Sequence, residues 1–288
     1  MHDIAFAPES FNPQEIRGIK ILDAKELQMK EVKGLDFTGI SDLAYDKKHG
    51  LFALSDKGYA FRLDLEIKNK KIARLNILDS FWLKNKKSEQ LPKKKSDAEG
   101  MDFYKDSLVI SFERRPRVSL FNLNGVKLKN YDISPVLKDI RNYQGKNSAL
   151  ESVTIHPEFG MITAAQKPLK HVDQSMHTLF SQKQRWHFSA DADVTAIQSM
   201  PDGSLLILER EFRLFGLEHT LWLKKVPIME CESAVCPAQT LAVLKSIDGW
   251  ELDNFEGLTH IEDDMYLMIS DDNDSFLQKC IIVLFQVR

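Results

Sequence analysis

The feature that most constrains this 288-residue chain is a degenerate repeat. The segments GISDLAYD, DAEGMDFY, ALESVTIH, ADVTAIQS and NFEGLTHI recur at intervals of roughly 40 to 65 residues, the length of one four-stranded propeller blade with its loops. Each joins an acidic residue to alternating apolar positions, the pattern of a strand with a buried face. In this alignment Asp42, Glu99, Glu151, Asp193 and Glu256 share one column, at the start of each innermost strand. A second set of runs, LFALSDKG, SLVISFERRPRV, GMITAAQKPL, SLLILEREF and MYLMISDDND, follows and reads as the second strands of hairpins. Third and fourth strands follow in AFRLDLEIK with ARLNILDSF and in HTLWLKKVPI with TLAVLKSI. The expected fold is all-β: a β-propeller of about five four-stranded blades, with six as the alternative if a divergent blade lies in the longest interval.

Too few residues follow Glu256 to make four strands. The N-terminal segment GIKILDAKEL is therefore expected to supply the outer strand of the last blade, closing the ring and covering an exposed edge. Residues 1–288 then form a single propeller domain, with 1–18 as an extended N-terminal segment. Helical patterning is confined to SPVLKDIRNY, where Ser134 is placed as N-cap and Pro135 in the first turn.

The 39 basic and 42 acidic residues are spread along the chain for a net charge of -3, so the dominant basic field of a nucleic-acid binder is missing. No apolar run approaches the roughly 18 residues of a membrane span, and MHDIAFAPES has no basic and apolar leader pattern. A soluble, monomeric protein is expected, with an anionic small molecule as its partner. Cys231 and Cys236, close together in the polar stretch CESAVC, are read as a local disulfide or as two free surface thiols, whereas Cys280 is read as core.

In a propeller, the acids at the starts of the innermost strands converge on one end of the central channel. Like charges held together raise one another's pKa unless a cation neutralises them, and a hard cation such as Ca²⁺ takes six to eight oxygen ligands. Glu99, Glu151 and Glu256, with Asp42 and Asp193, are the candidate calcium ligands. The alternative is that these carboxylates accept from backbone amides of the neighbouring blade and lock the repeats together. Four of the second runs end in an acceptor and a base: Asp56-Lys57, Glu113-Arg114, Gln166-Lys167 and Glu209-Arg210. The fifth instead carries Asp271-Asp272, then Asn273 and Asp274. Arg114, Arg210, Lys57 and Lys167 are the candidate ligands of an anionic substrate, the alternative being salt bridges between blades. The Lys-rich loop LKNKKSEQLPKKKSDAEG reads as solvated, and His156 and His260 as solvent or loop positions. With no G-x-S-x-G elbow and no Walker loop, no catalytic nucleophile or base is assigned.

The AEG, LES and FEG openings, the SFERRPR and LEREF segments and the closing NFEGLTHIEDDMYLMISDDND resemble the phytase-like (esterase-like activity of phytase) propeller family, over roughly residues 34–287. The resemblance implies hydrolysis of phosphate or other esters, calcium at the channel mouth, and a periplasmic or secreted location, the cytoplasm being the alternative. Two functions are carried forward. One is a Ca²⁺-dependent hydrolase of phosphate esters or related anionic small molecules. The other is a non-catalytic propeller that binds a protein or small ligand.

Overall fold

The computed structural model describes residues 1–9, 16, 18–213, 218–273 and 278–288. Most of the expected N-terminal segment between residues 10 and 17, and Asp274, lie outside the described residues. Five antiparallel sheets among the described residues follow one another along the chain. Blade 1 consists of Ile40–Asp46, Gly50–Ser55, Tyr59–Lys68 and Lys71–Trp82. Blade 2 consists of Ala98–Phe103, Ser107–Phe112, Arg117–Asn122 and Lys127–Asn130. Blade 3 consists of Leu150–His156, Gly160–Ala165, Met176–Ser181 and Arg185–Ser189. Blade 4 consists of Asp193–Ser199, Leu205–Arg213, Glu218–Val226 and Gln239–Lys245. Blade 5 consists of Asn254–Glu262, Met265–Asp271 and Ile281–Val287, completed from the N-terminal side by Ile19–Glu26 and His2–Asp3. Each innermost strand packs against the next, and that of blade 5 packs against that of blade 1, so the protein is a closed five-bladed β-propeller.

The continuous apolar runs of the second strands follow from this ring. Successive side chains on a strand point to opposite faces, and inside a propeller both faces of a blade meet a neighbour. In blade 4, Leu206 and Leu208 face blade 5, while Leu205 and Ile207 face blade 3. In blade 5, Tyr266 and Met268 face blade 4, while Leu267 and Ile269 face blade 1. Among the described residues, five apolar clusters fill the five junctions between blades. Each fully buried leucine or isoleucine stabilises the ring by about 2 kcal/mol.

Closure follows the expected pairing: Ile19–Glu26 runs antiparallel to Ile281–Val287, from Ile19 opposite Val287 to Glu26 opposite Ile281. The expected helix is shorter than its pattern. An α-helix covers Pro135–Lys138 and a 3-10 turn covers Ile140–Asn142, with Asp139 extended between them. Ser134 makes no side-chain cap; its hydroxyl accepts from Arg185 at 2.9 Å.

The register corrects the alignment of the five acids. Each innermost strand has a β-bulge near its start, and the bulge falls on Ser41, Glu99–Gly100, Glu151, Thr195 and Glu256. Asp42 therefore stands one residue beyond the bulge, and Asp193 two residues before it, where blade 2 carries Asp97. A bulge adds one unpaired residue to a strand, a shift that hydrophobic alternation in sequence does not reveal.

Candidate metal and anion site at the channel mouth

The bulge residues differ in what their side chains do. Ser41 and Thr195 are inter-blade locks: Ser41 Oγ donates to the Ala98 carbonyl at 2.8 Å, and Thr195 Oγ1 to the Phe255 carbonyl at 3.2 Å. The three glutamates at this position, Glu99, Glu151 and Glu256, are directed instead to a common space, where Glu151 and Glu256 raise the pKa of Glu99 and Glu256 that of Glu151. Burial pushes all three carboxyls up, and for Glu99 the charges of Glu151, Glu113 and Glu256 push further. Glu151 accepts from Gln166 Nε2 at 3.1 Å. Glu256 accepts from Arg210 Nη1 and Asn254 Nδ2, each at 2.8 Å. Among the described residues, no hydrogen bond or ion pair reaches the Glu99 carboxylate.

Beside Glu99 stand two acids that were not among the expected ligands, Asp97 and Glu113. Asp97, Glu99 and Glu113 each place a carboxylate oxygen within 4.8 Å of the other two. Burial, then the charge of Asp97, pushes Glu113 up to about 8. Burial also raises Asp97, against the pull of Arg114, whose Nε is 3.0 Å from Asp97 Oδ2. Asp97 comes from the end of the Lys-rich loop and Glu113 from the acceptor column of the second strands. The available signal for Asp97 was its correspondence to Asp193, which the bulge hides.

Asp42 is held elsewhere. Its carboxylate accepts from the backbone amides of Leu43 at 2.8 Å, Met101 of blade 2 at 2.6 Å and Leu258 of blade 5 at 3.0 Å. Asp102 repeats the device between blades 2 and 3, accepting from Thr154 Oγ1 and the Ile155 amide at 2.7 Å each. Asp193, partly exposed, pairs with Lys167 at 3.4 Å.

Among the bases, Arg114 is half-exposed at the mouth beside Asp97, and Lys57 lines a cavity with it. Arg210 differs. Because Val194 pairs with Glu209 and Leu150 with Ala165, Arg210 falls in register with Asp56, Glu113, Gln166 and Asp271, the acceptors of the other blades. It is buried against Glu256 and Asn254, with its guanidinium 4.5 Å from the Phe212 ring centre. Glu209 is buried with Lys224, 3.1 Å away. In blade 5, burial and the charge of Glu256 push Asp271 up to about 8, and Asp272 accepts from Thr38 Oγ1 and the Gly39 amide.

His156 is buried rather than solvated. Its Nε2 donates to the Gly203 carbonyl at 3.0 Å, and Nδ1 accepts from the amides of Glu158 and Phe159. His260 Nε2 donates to the Asp263 carbonyl in its own hairpin. Cys231 and Cys236 are joined in a disulfide, and Cys280 is a buried free thiol.

A match to the phytase-like family, described as esterase-like activity of phytase, spans residues 35–274. The chain belongs to this family. No curated protein matches it in sequence. Among solved structures, it is similar to the PQQ-bound aldose sugar dehydrogenase of Streptomyces coelicolor, with 11% identity and a TM-score of 0.51 over 95% of this chain and 99% of the other. It is also similar to Myxococcus xanthus glutaminyl cyclase, with 8% identity and a TM-score of 0.50 over the same shares. At such identities the likeness is one of fold.

In this phytase-like chain the glycines of AEG and FEG have a steric cause. A Cβ on Gly100 would lie 2.6 Å from the Val153 amide nitrogen, and one on Gly257 would lie 2.9 Å from Asp42 Cα. The glycine lets the strand of the next blade approach directly after the bulge that aims the glutamate.

Proposed function

We propose that this phytase-like propeller hydrolyses phosphate esters or related small anionic molecules with the aid of a calcium ion, at the mouth lined by Asp97, Glu99 and Glu113. The observation that carries the reading is the mutual approach of those three carboxylates around a Glu99 that has no protein counter-charge of its own. Their donor chemistry fits: hard cations take carboxylate oxygen, and a cation offsets the burial and mutual repulsion that raise the pKa of these groups. Arg210 already compensates Glu256, so the unmet negative charge lies on the blade 2 side. When bound there, Ca²⁺ supplies charge that polarises a phosphoryl oxygen. Arg114 presents a planar donor fork to the anion, and Lys57 and Lys167 act as point charges at the rim. Glu151 completes the acidic wall. Asp42 and Asp193 stand outside the metal set in this reading, and Arg210 acts as an internal counter-ion. The disulfide supports action in the periplasm or outside the cell, since such bonds persist in oxidising compartments. No helix of the described residues is long and apolar enough to cross a membrane.

A second reading, a non-catalytic binding propeller whose acids lock blades, is favoured by the three amides that Asp42 accepts. The two are separated by the thermal midpoint in chelator and then in millimolar Ca²⁺, alongside an assay with aryl phosphates. A rise with Ca²⁺ that disappears in Glu99→Gln/Glu113→Gln, with Ca²⁺-dependent turnover, supports the hydrolase. An unchanged midpoint and no turnover support the binding module.

A further inference from the structure

A cavity of about 440 Å³ lies between blades 1 and 2, and its inner wall includes Asp97. The Lys-rich loop that follows Trp82 forms its other side, and that loop is pinned rather than loose. The Leu83 amide donates to the Gly58 carbonyl at 2.9 Å, the Lys84 amide to the Gly125 carbonyl at 2.7 Å, and the Leu91 amide to the Leu83 carbonyl at 2.9 Å. One stretch is thereby tied to both blades, so the wall is formed before any ligand arrives. The cavity lining mixes charged and apolar side chains. The bases Lys57, Lys93 and Arg114 outnumber the acids Asp56 and Asp97 there, and Trp82 and Leu91 supply apolar surface. Trp82 is held in place by Tyr59, edge to face with ring centres 5.2 Å apart.

We infer that this cavity binds a small amphiphilic anion, its charged head held by Lys57, Lys93 and Arg114 and its apolar body resting on Trp82 and Leu91. The inference rests on the hydrolase reading for the position of the head beside the carboxylate trio, and it adds a substrate class: a monoester with an aryl or alkyl body. Cavities of this size combine an apolar wall with a few placed polar groups, the former contributing affinity and the latter orientation. A substrate polar over its whole surface would have hydroxyl or charged groups desolvated against Trp82 and Leu91.

The test uses two non-cleavable probes, benzylphosphonate and methylphosphonate, titrated calorimetrically into the full chain with and without Ca²⁺. The wild type is expected to bind benzylphosphonate about tenfold more tightly than methylphosphonate. Trp82→Ala, and separately Gln90→Trp, which places a large side chain from an exposed loop position into the cavity, should bring the two probes to equal affinity. Equal affinities in the wild type, no measurable binding of either probe, or discrimination that survives in both variants would overturn the inference. Discrimination without any ester hydrolysis would sink the catalytic reading and leave this site standing, whereas hydrolysis without discrimination would do the reverse.

Discussion

Arg210 Nη1 donates to Glu256 Oε1 at 2.8 Å across the junction of blades 4 and 5, and the carboxamide of Asn254 contacts both partners. A cation thus stands in blade 4 at the position where the other second strands carry Asp56, Glu113, Gln166 and Asp271. It places a buried positive charge on one side of the acidic mouth, whereas in blade 2 the same position carries Glu113 and the nearby cation is the half-exposed Arg114.

Arg210→Met should therefore act on stability. Removing one member of a buried pair leaves the other uncompensated, which costs about 3 kcal/mol. Urea unfolding should show that loss, and Glu256→Gln added to Arg210→Met should recover most of it. Equal losses in the single and double variants would mean that the two side chains are not coupled.

Asp42→Ala should be more severe than Asp42→Asn, because the carboxylate accepts amides from three different strands. Each buried amide left without an acceptor costs about 1–3 kcal/mol. The expected loss for Asp42→Ala is at least about 3 kcal/mol, with any stabilisation by Ca²⁺ unaltered in size. Loss of the Ca²⁺ response with little loss of stability would place Asp42 in the metal set instead.

Stability should fall as pH rises from about 5 to 8 in the presence of a chelator. Glu113 and Asp271 are pushed up to about 8 in the folded chain, whereas unfolded carboxyls release their protons near pH 4. Between those values the folded state holds more protons than the unfolded one, so deprotonation favours unfolding. A bound cation would displace the proton on Glu113, so Ca²⁺ should stabilise more at pH 8 than at pH 5.5 and flatten the slope. Thermal midpoints on a pH grid check this, and a chelated protein most stable at pH 8 would contradict it.

Reduction of the disulfide between Cys231 and Cys236 should lower stability by about 2 kcal/mol through the freedom regained by a short loop. The loop also extends blade 3: the His187 amide donates to the Ala234 carbonyl at 2.6 Å and the Cys236 amide to the His187 carbonyl at 2.7 Å. Cys231→Ser/Cys236→Ser should therefore speed amide exchange at His187 as well. Unchanged protection there would show that the loop holds its place without the bond.

The blade count and the closing strand were legible because both rest on features that sequence carries directly, short apolar runs and a last unit too short to be complete. Register was not. Ser41 and Thr195 occupy the position that Glu99, Glu151 and Glu256 share, but a bulge changes facing without changing composition, so alignment on acidic residues selects Asp42 and Asp193 instead. Asp97 was hidden for a different reason: its lysine-rich surroundings have the composition of a solvated loop, and only long-range hydrogen bonds tie that loop to two blades. His156 shows the same limit, since its burial depends on the Gly203 carbonyl of another blade.

The pairing of Ile19–Glu26 with Ile281–Val287 also sets an order of events during synthesis. Ile19–Glu26 precedes every strand of blades 1 to 4 in the chain, whereas its partner Ile281–Val287 follows them all, so the pair cannot form until those four blades have been made. Blades 1 to 4 can form as they emerge, while the ring stays open and the outer faces of blades 1 and 4 remain uncovered. Among the described residues, closure pairs the most widely separated strands, so it should be the slow step of folding, and removal of Ile19–Glu26 or of Ile281–Val287 should leave an open ring prone to association through its unpaired edge.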